Sequence, residues 1–192
     1  KKYRLQQKDT IHVILDDDYS YGKNHISNLV KQLRAQGSNS AVGYMGSIVV
    51  YNQKKDKFRH FQNLTSKITR VHMLCGHGGI AMYNSSIPDE WFTFVENAPI
   101  EAKKSDDVHI SAFLRHNRTR LYSIPFLYKE PYTSWTLRTR SALSNIEALR
   151  NNNRIENYDV TFKTFPNIFK KEENQLLHKQ HPFQYVISKF SF

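Results

Sequence analysis

Three consecutive aspartates, Asp16, Asp17 and Asp18, are the strongest candidates for chemistry in this 192-residue chain. Adjacent carboxylates repel one another unless water or a cation relieves the charge. Mg²⁺ and Mn²⁺ take hard oxygen ligands and complete their coordination shell with substrate phosphates. The alternative is a solvated acidic turn that closes a strand. Because side chains alternate along a strand, we expect Asp16 and Asp18 on one side and Asp17 on the other.

A second acidic pair, Asp106 and Asp107, follows Ser105 about ninety residues later. Carboxylates in the first turn suit the positive end of a helix dipole, so this pair predicts a helix from Asp106 to about His116. A carboxylate here can also act as a general base that deprotonates an attacking hydroxyl. Helix capping and catalysis both remain open interpretations.

A glycine-rich segment, Gly76-His77-Gly78-Gly79, forms a third candidate. Glycine permits positive φ and a close approach of the backbone to a ligand. The spacing differs from the dinucleotide-binding fingerprint, and no helix is predicted directly after it. The segment therefore predicts either a tight turn or a loop that lines a substrate, with His77 facing it.

The elements that would position these residues show a strand and helix pattern. Residues 10–15 are β-branched and apolar, which predicts a strand covered on both faces inside an α/β sheet. Residues 23–36 predict an amphipathic helix that Gly37 ends, with an apolar stripe of Ile26, Leu29, Val30 and Leu33. The Asp triplet lies between these two elements, at a strand end of the kind where ligands bind in α/β sheets.

The rest of the chain continues the alternation. Strands are predicted over 41–51, 71–75, 80–83 and 121–128, helical segments over 106–116 and 133–150, and a short helix or turn over 88–95. Such alternation favours an α/β fold with a partly parallel sheet. The phenylalanines of the tail, from Phe162 onward, indicate packing against the same core.

The composition limits the class of protein. The chain is 39% hydrophobic and 13% aromatic, which is too apolar for a disordered protein despite its net charge of +11. The charge favours polyanionic partners: nucleic acid, an anionic membrane surface or a phosphate-bearing ligand. One cysteine, Cys75, excludes an internal disulfide and a multi-cysteine zinc site. With no signal-peptide pattern or membrane span in the sequence, we expect a cytoplasmic location, with peripheral membrane contact as an option.

Three segments in order resemble the GT-A glycosyltransferases, in particular a family-2-like group. These are the strand ending in Asp-Asp-Asp with a following tyrosine, the Gly-x-Gly-Gly segment from Gly76, and the Ser-Asp-Asp-x-x-Ile-Ser segment from Ser105 to Ser111. The resemblance covers about residues 3–127. It implies a nucleotide-diphosphate sugar donor, a divalent cation (Mn²⁺ or Mg²⁺), and a glycan, lipid or protein acceptor.

The resemblance also implies roles for single residues. Asp16 and Asp18 match the two ends of the Asp-x-Asp motif, where one carboxylate contacts the ribose or sugar and the other contacts the metal; Asp17 lies between them. Asp107 matches the base of inverting members, with Asp106 as its neighbour.

The glycine-rich segment has an implied role as well. Gly78 and Gly79 match the loop under the donor sugar and acceptor, and His77 would border that substrate. For the leaving diphosphate, three arginines are candidates by position in the sequence: Arg115, Arg118 and Arg120.

The implied fold is a GT-A-like, Rossmann-like α/β domain with a mixed, mostly parallel sheet flanked by helices. We expect residues 1–130 to form the catalytic core and residues 131–192 a helical or irregular extension packed on the same domain. GT-A domains begin with a nucleotide-binding strand and helix well before the Asp motif. Only fifteen residues precede Asp16 here, so the sequence predicts an N-terminally truncated domain: the chain is a fragment, the N-terminal half is supplied elsewhere, or the protein has lost it.

Two other functions stay open. A metal-dependent nuclease or phosphoryl-transfer enzyme would use the same Asp cluster, with the basic surface along a nucleic-acid backbone. A non-catalytic basic binding domain derived from a transferase is the other. The sequence contains no recognised nucleic-acid-binding motif, so we expect no specific nucleic-acid partner.

Overall fold

A mixed five-stranded sheet is central to the fold of this protein. The structure is a computed structural model, and it describes residues 10–17, 19–63, 67–98, 105–125, 133–134 and 162–169. Its strands, in spatial order, are β1 (Ile11–Ile14), β8 (Ile80–Tyr83), β3 (Ser40–Gly43), β9 (Arg120–Ser123) and β6 (Thr69–Arg70). A second sheet contains β5 (Lys57–Asn63), β4 (Gly46–Asn52) and β7 (Met73–Leu74), and β2 (Tyr19–Ser20) pairs with β10 (Thr133–Ser134). The helices are α1 (His25–Gln36), α2 (Glu90–Glu96), α3 (Asp106–His116) and α4 (Pro166–Phe169).

The prediction of a mixed sheet in an α/β fold is confirmed, but the prediction that it is mostly parallel is wrong. Among the strands that the structure describes in this sheet, only β3 and β9 pair in parallel; β1 with β8, β8 with β3, and β6 with β9 are all antiparallel. The chain returns from β7 into β8 through a single 3₁₀ turn at Gly76–Gly78, with no helical crossover. Because β7 belongs to the second sheet, this short link joins the two sheets, and β8 enters the first sheet antiparallel to both of its neighbours, β1 and β3.

The pairing still brings three strand ends to one edge of the sheet. Because β8 is antiparallel to both β1 and β3, those two strands run in the same direction, and β9 runs with them. Ile14 at the end of β1 and Gly43 at the end of β3 are both opposite Ile80, the first residue of β8. The segment that precedes Ile80 therefore lies at the carboxyl edge of these strands.

Strand β1 occupies the sheet differently from our expectation. It is an edge strand among the described residues, and all four of its residues are half-buried. The prediction of a strand covered on both faces is therefore wrong. A short apolar run is also found in an edge strand with one packed face, and composition alone does not distinguish an edge strand from an interior one.

Helix α1 is confirmed, with a rotated packing face. Its buried residues are His25, Leu29 and Leu33, whereas Ile26 is 48% exposed. His25 thus takes the core position that we assigned to Ile26. Gly37 ends the helix as predicted, with φ of 86° and its N–H bonded to the Leu33 carbonyl.

The other predicted elements are partly confirmed and partly wrong. The strand predicted over 41–51 is two strands, β3 and β4, broken near Tyr44 and Met45, and the helices at 88–95 and 106–116 correspond to α2 and α3. The helix predicted over 133–150 is wrong at its start, because Thr133–Ser134 is a strand; residues 135–150 lie outside the described part.

Helix α3 packs against a strand of each sheet and against the two short helices α2 and α4. One side of it contacts β7, and another contacts α2 and α4. Phe162 and Phe169 are fully buried in the same cluster as Val108 and Ala112 of α3, so residues 162–169 pack on the core. Among the described residues, no helix is long and apolar enough to cross a membrane.

Candidate functional site

Two of the predicted acidic residues, Asp16 and Asp107, meet at Gly76. A methyl group built on Gly76 would lie 3.2 Å from Oδ1 of Asp16 and 3.3 Å from Oδ1 of Asp107. The two carboxylate oxygens are therefore no farther apart than these two distances together. Asp16 lies two residues after the end of β1 and Asp107 lies in the first turn of α3, so residues from three remote segments form one acidic site.

Two side chains of α3, one helical turn apart, accept hydrogen bonds from the backbone of Leu74 and Gly76. Oδ1 of Asp107 accepts a hydrogen bond of 2.7 Å from the backbone N–H of Gly76. The hydroxyl of Ser111 accepts one of 3.0 Å from the N–H of Leu74. Side chains at i and i+4 on a helix are about 6 Å apart, close to the repeat of alternate residues in an extended chain. The spacing of Asp107 and Ser111 therefore matches that of Leu74 and Gly76.

The other acidic residues of the two motifs are differently placed. Asp106 is exposed, and its Oδ1 accepts a hydrogen bond of 2.9 Å from the N–H of Asp107. Ser105 precedes the helix in an extended conformation without a side-chain capping bond. Asp106 therefore acts within the helix start, whereas Asp107 points to the loop. Asp17 is exposed, and Asp18 lies outside the described residues.

Tyr21 links the acidic strand end to the glycine-rich loop. Its hydroxyl accepts a hydrogen bond of 2.9 Å from the N–H of Asp16 and donates one of 3.4 Å to the carbonyl of His77. The sequence signal for Tyr21 is the Asp-Asp-Asp-x-x-Tyr pattern of the resemblance, in which this tyrosine is the third residue after Asp18.

His25 holds the same loop from the first residue of α1. Its Nε2 is 3.1 Å from the Gly78 carbonyl in a buried hydrogen bond. Because a carbonyl can only accept, Nε2 carries the proton. Gly79 has φ of 79°, and a methyl group there would be 3.0 Å from His25 Nε2. A side chain at Gly79 would therefore strain the backbone and crowd the side chains of α1.

The loop side chain predicted to border a substrate, His77, is half-buried and belongs to an aromatic group. The ring centroids of His77 and Tyr19 are 5.7 Å apart, and those of Tyr19 and Tyr21 are 6.3 Å apart. The structure therefore brings together Asp16, His77, Gly78, Gly79 and Asp107. Gly76, which belongs to the predicted glycine-rich segment, completes this group together with Tyr21 and His25, for which the sequence suggested no role.

Cys75 adjoins this site as a buried thiol. Burial, followed by the neighbouring charge of Asp107, raises its pKa from 9.0 to about 12, although a hydrogen bond with Ser47 acts in the opposite direction. The thiol is therefore protonated at neutral pH. This agrees with a packing role for Cys75 rather than with a nucleophilic one.

The arginines proposed for a leaving diphosphate are at the wrong end of α3. Asp107 is in the first turn, whereas Arg115 is in the last turn, and Arg118 and Arg120 follow the helix. A helix rises 1.5 Å per residue, so most of the length of α3 separates them from Asp107. Arg115 instead bonds the Ile168 carbonyl and lies over the Phe169 ring.

No model of a known protein family matches this chain, and the search of curated proteins finds no match either. The likeness to GT-A glycosyltransferases therefore depends on the three segments and on the geometry they adopt.

The residues at Gly76 agree in type with a divalent cation. Carboxylate oxygens are the ligands that Mg²⁺ and Mn²⁺ prefer, and two carboxylates this close favour a neighbouring positive charge. No group of three or more metal-binding side chains is present in the described part of the chain. Asp16 is thus the one predicted metal ligand whose position at this site is known.

Proposed function

We propose that this protein is a metal-dependent glycosyltransferase that moves a sugar from a nucleotide-diphosphate sugar to a hydroxyl acceptor with inversion. The observation that carries the proposal is the convergence of Asp16 and Asp107 on Gly76. The Asp triplet, the glycine-rich segment and the Ser-Asp-Asp segment are remote in sequence. Their meeting is what a transferase site of this type requires.

Each residue has a role in the proposed reaction. Asp107 is the general base: its carboxylate takes the proton of the acceptor hydroxyl as that oxygen attacks the anomeric carbon. The 2.7 Å bond from Gly76 fixes the position of that carboxylate. A single displacement from the opposite face of the sugar gives the inverted product. Asp106, one residue earlier, supports the helix start through its bond to the Asp107 N–H.

Asp16 and Asp18 are the proposed metal ligands, and Asp17 accompanies them as a donor-binding residue. When bound, Mn²⁺ or Mg²⁺ would neutralise charge on the leaving diphosphate. Gly78, Gly79 and His77 would border the donor sugar, since the loop places backbone groups next to Asp16 and Asp107. The acceptor would be a glycan, a lipid or a protein.

The test is turnover of nucleotide sugars by the purified chain. We expect Mn²⁺-dependent release of a nucleoside diphosphate from at least one donor in a panel of common nucleotide sugars. Asp107→Asn should reduce turnover by about 10²–10⁴-fold, the range for loss of a general base. Calorimetry that detects no binding of any donor with Mn²⁺ would contradict the proposal, and Mn²⁺-dependent cleavage of DNA or RNA would support the nuclease alternative instead.

A further inference from the structure

The hydrogen bond between His25 and Gly78 suggests a role beyond packing. His25 is 4% exposed, and buried histidines usually satisfy their ring nitrogens with nearby groups. Here the acceptor is a loop carbonyl 53 positions away in sequence, at 3.1 Å from Nε2. The bond therefore joins α1 directly to the segment next to the two carboxylates.

Aromatic contacts orient the His25 ring. Its centroid is 4.6 Å from that of Tyr21 and 4.6 Å from that of Tyr44. Tyr21 in turn bonds the N–H of Asp16 and the carbonyl of His77. One connected set of contacts thus runs from α1 to both the acidic strand end and the loop.

The loop itself permits little movement toward α1. Hypothetical methyl groups at Gly79 would be 3.0 Å from His25 Nε2, from Leu15 and from Leu29. At Gly78 the same test gives 3.0 Å to Met45. The loop is packed between α1 and the chain after β3, and His25 supplies a specific hydrogen bond in that packing.

We infer that His25 is a positioning residue, which fixes the Gly76–Gly79 loop relative to Asp16 and Asp107 through the Gly78 carbonyl. The inference rests on the proposed function, because the loop would border the donor sugar. Displacement of a catalytic group by about 1 Å can cost about a hundredfold in rate. Loss of this bond should therefore affect turnover through geometry, although His25 touches no reacting atom.

Two substitutions test the hydrogen bond of His25 and its aromatic ring separately. His25→Phe keeps an aromatic ring between the tyrosines and removes the N–H. His25→Gln retains an amide N–H near the position of Nε2 and removes the ring. Ile26→Ala, at a neighbouring exposed position of α1, is the matched control.

The first measurement is amide hydrogen exchange at Gly78 and Gly79, whose N–H groups bond the carbonyls of Cys75 and Gly76. We expect at least tenfold faster exchange in His25→Phe and near wild-type exchange in His25→Gln and Ile26→Ala. This measurement needs no substrate. It therefore decides the positioning role even if the wild-type chain transfers no sugar, an outcome that would contradict only the proposed function.

The second measurement is kcat and KM for the donor. We expect kcat/KM to fall at least tenfold in His25→Phe and to recover to within about threefold of wild type in His25→Gln, since tenfold corresponds to one typical hydrogen bond. Wild-type exchange in His25→Phe, or equal losses in the Phe and Gln variants, would overturn the inference. If His25→Phe does not fold, ¹⁵N NMR of the His25 ring in the wild-type protein is the substitute: a neutral ring without a proton on Nε2 could not donate to the Gly78 carbonyl and would overturn the inference.

Discussion

Oδ1 of Asp107 accepts a hydrogen bond of 2.7 Å from the N–H of Gly76, and the same oxygen would lie 3.3 Å from a methyl group at that glycine. The start of α3 is therefore fastened to a residue at which a side chain would crowd both carboxylates. Asp107 serves two purposes at once, because it bonds the backbone and presents a carboxylate beside Asp16.

The two purposes of Asp107 can be separated by substitution. Asp107→Asn keeps an oxygen that accepts from Gly76 but removes the charge, so we expect wild-type stability together with the loss of turnover given above. Asp107→Ala also leaves the buried Gly76 N–H unpaired, which costs about 1–3 kcal/mol. Urea denaturation of both variants checks this difference. Equal stabilities of the Asn and Ala variants would show that the bond contributes little to folding.

Gly76→Ala tests the convergence itself. An added methyl group would displace both carboxylates by a few tenths of an ångström, so we expect reduced turnover with a folded protein. Gly37→Ala is the contrasting control: its methyl group meets open space, but φ of 86° strains an alanine there. That variant should lose about 1–3 kcal/mol of stability and keep its turnover. Full activity of Gly76→Ala would contradict the proposed crowding.

Ser111→Ala tests how α3 is attached to β7. The substitution leaves the N–H of Leu74 without the serine hydroxyl, so we expect destabilisation of about 1–3 kcal/mol. Ser27→Ala is a suitable control, because that hydroxyl bonds the Asn24 carbonyl at an exposed position. It should change the free energy of unfolding by less than about 0.5 kcal/mol. Similar effects in both variants would argue against the attachment.

Phe162→Ala tests whether the segment at 162–169 belongs to the core. Phe162 is fully buried against Phe58 and Phe169, so truncation should cost about 3–5 kcal/mol. Phe92 is 59% exposed on α2, and Phe92→Ala should have a small effect by comparison. Thermal or urea unfolding measures both. A tolerated Phe162→Ala would mean that the core is stable without this segment.

Cys75 supplies a pH prediction. Its pKa is raised from 9.0 to about 12 in the folded protein, so above pH 9 the unfolded chain releases a proton that the folded chain keeps. The contribution of Cys75 to stability is complete below pH 9 and is lost as pH rises toward about 12. Stability of Cys75→Ala should therefore decline less than wild type between pH 8 and pH 10. Parallel declines would contradict the assigned shift.

Local sequence patterns were sufficient to predict where several strands and helices begin or end. The run before Asp16 predicted a strand, Gly37 predicted the end of α1, and Asp106 predicted the start of α3; each is found there. These features depend on neighbours along the chain, such as caps and apolar periodicity. They also gave the two acidic residues of the site.

Features that depend on partners remote in sequence were not predictable in this way. The direction of β8 relative to β1 and β3 follows from a sheet order that no local pattern encodes. His25 took the buried position expected for Ile26 because the loop at Gly78 offers it a carbonyl, and that loop is 53 residues away. The arginines at the far end of α3 illustrate the same limit, since closeness in sequence to Asp107 did not imply closeness in space.

The separation of its parts gives the site a particular relation to folding. Asp107 bonds a residue 31 positions earlier, and His25 bonds one 53 positions later. A contact between residues this far apart in sequence closes a long loop, and the entropy cost of closing it precedes the stabilising contact. Such contacts raise the contact order, and a high contact order slows folding. No fragment that ends before Asp107 can assemble the site. Ligand binding, where it occurs, would therefore report the completion of the tertiary structure and would protect the folded chain against proteolysis in proportion to its affinity.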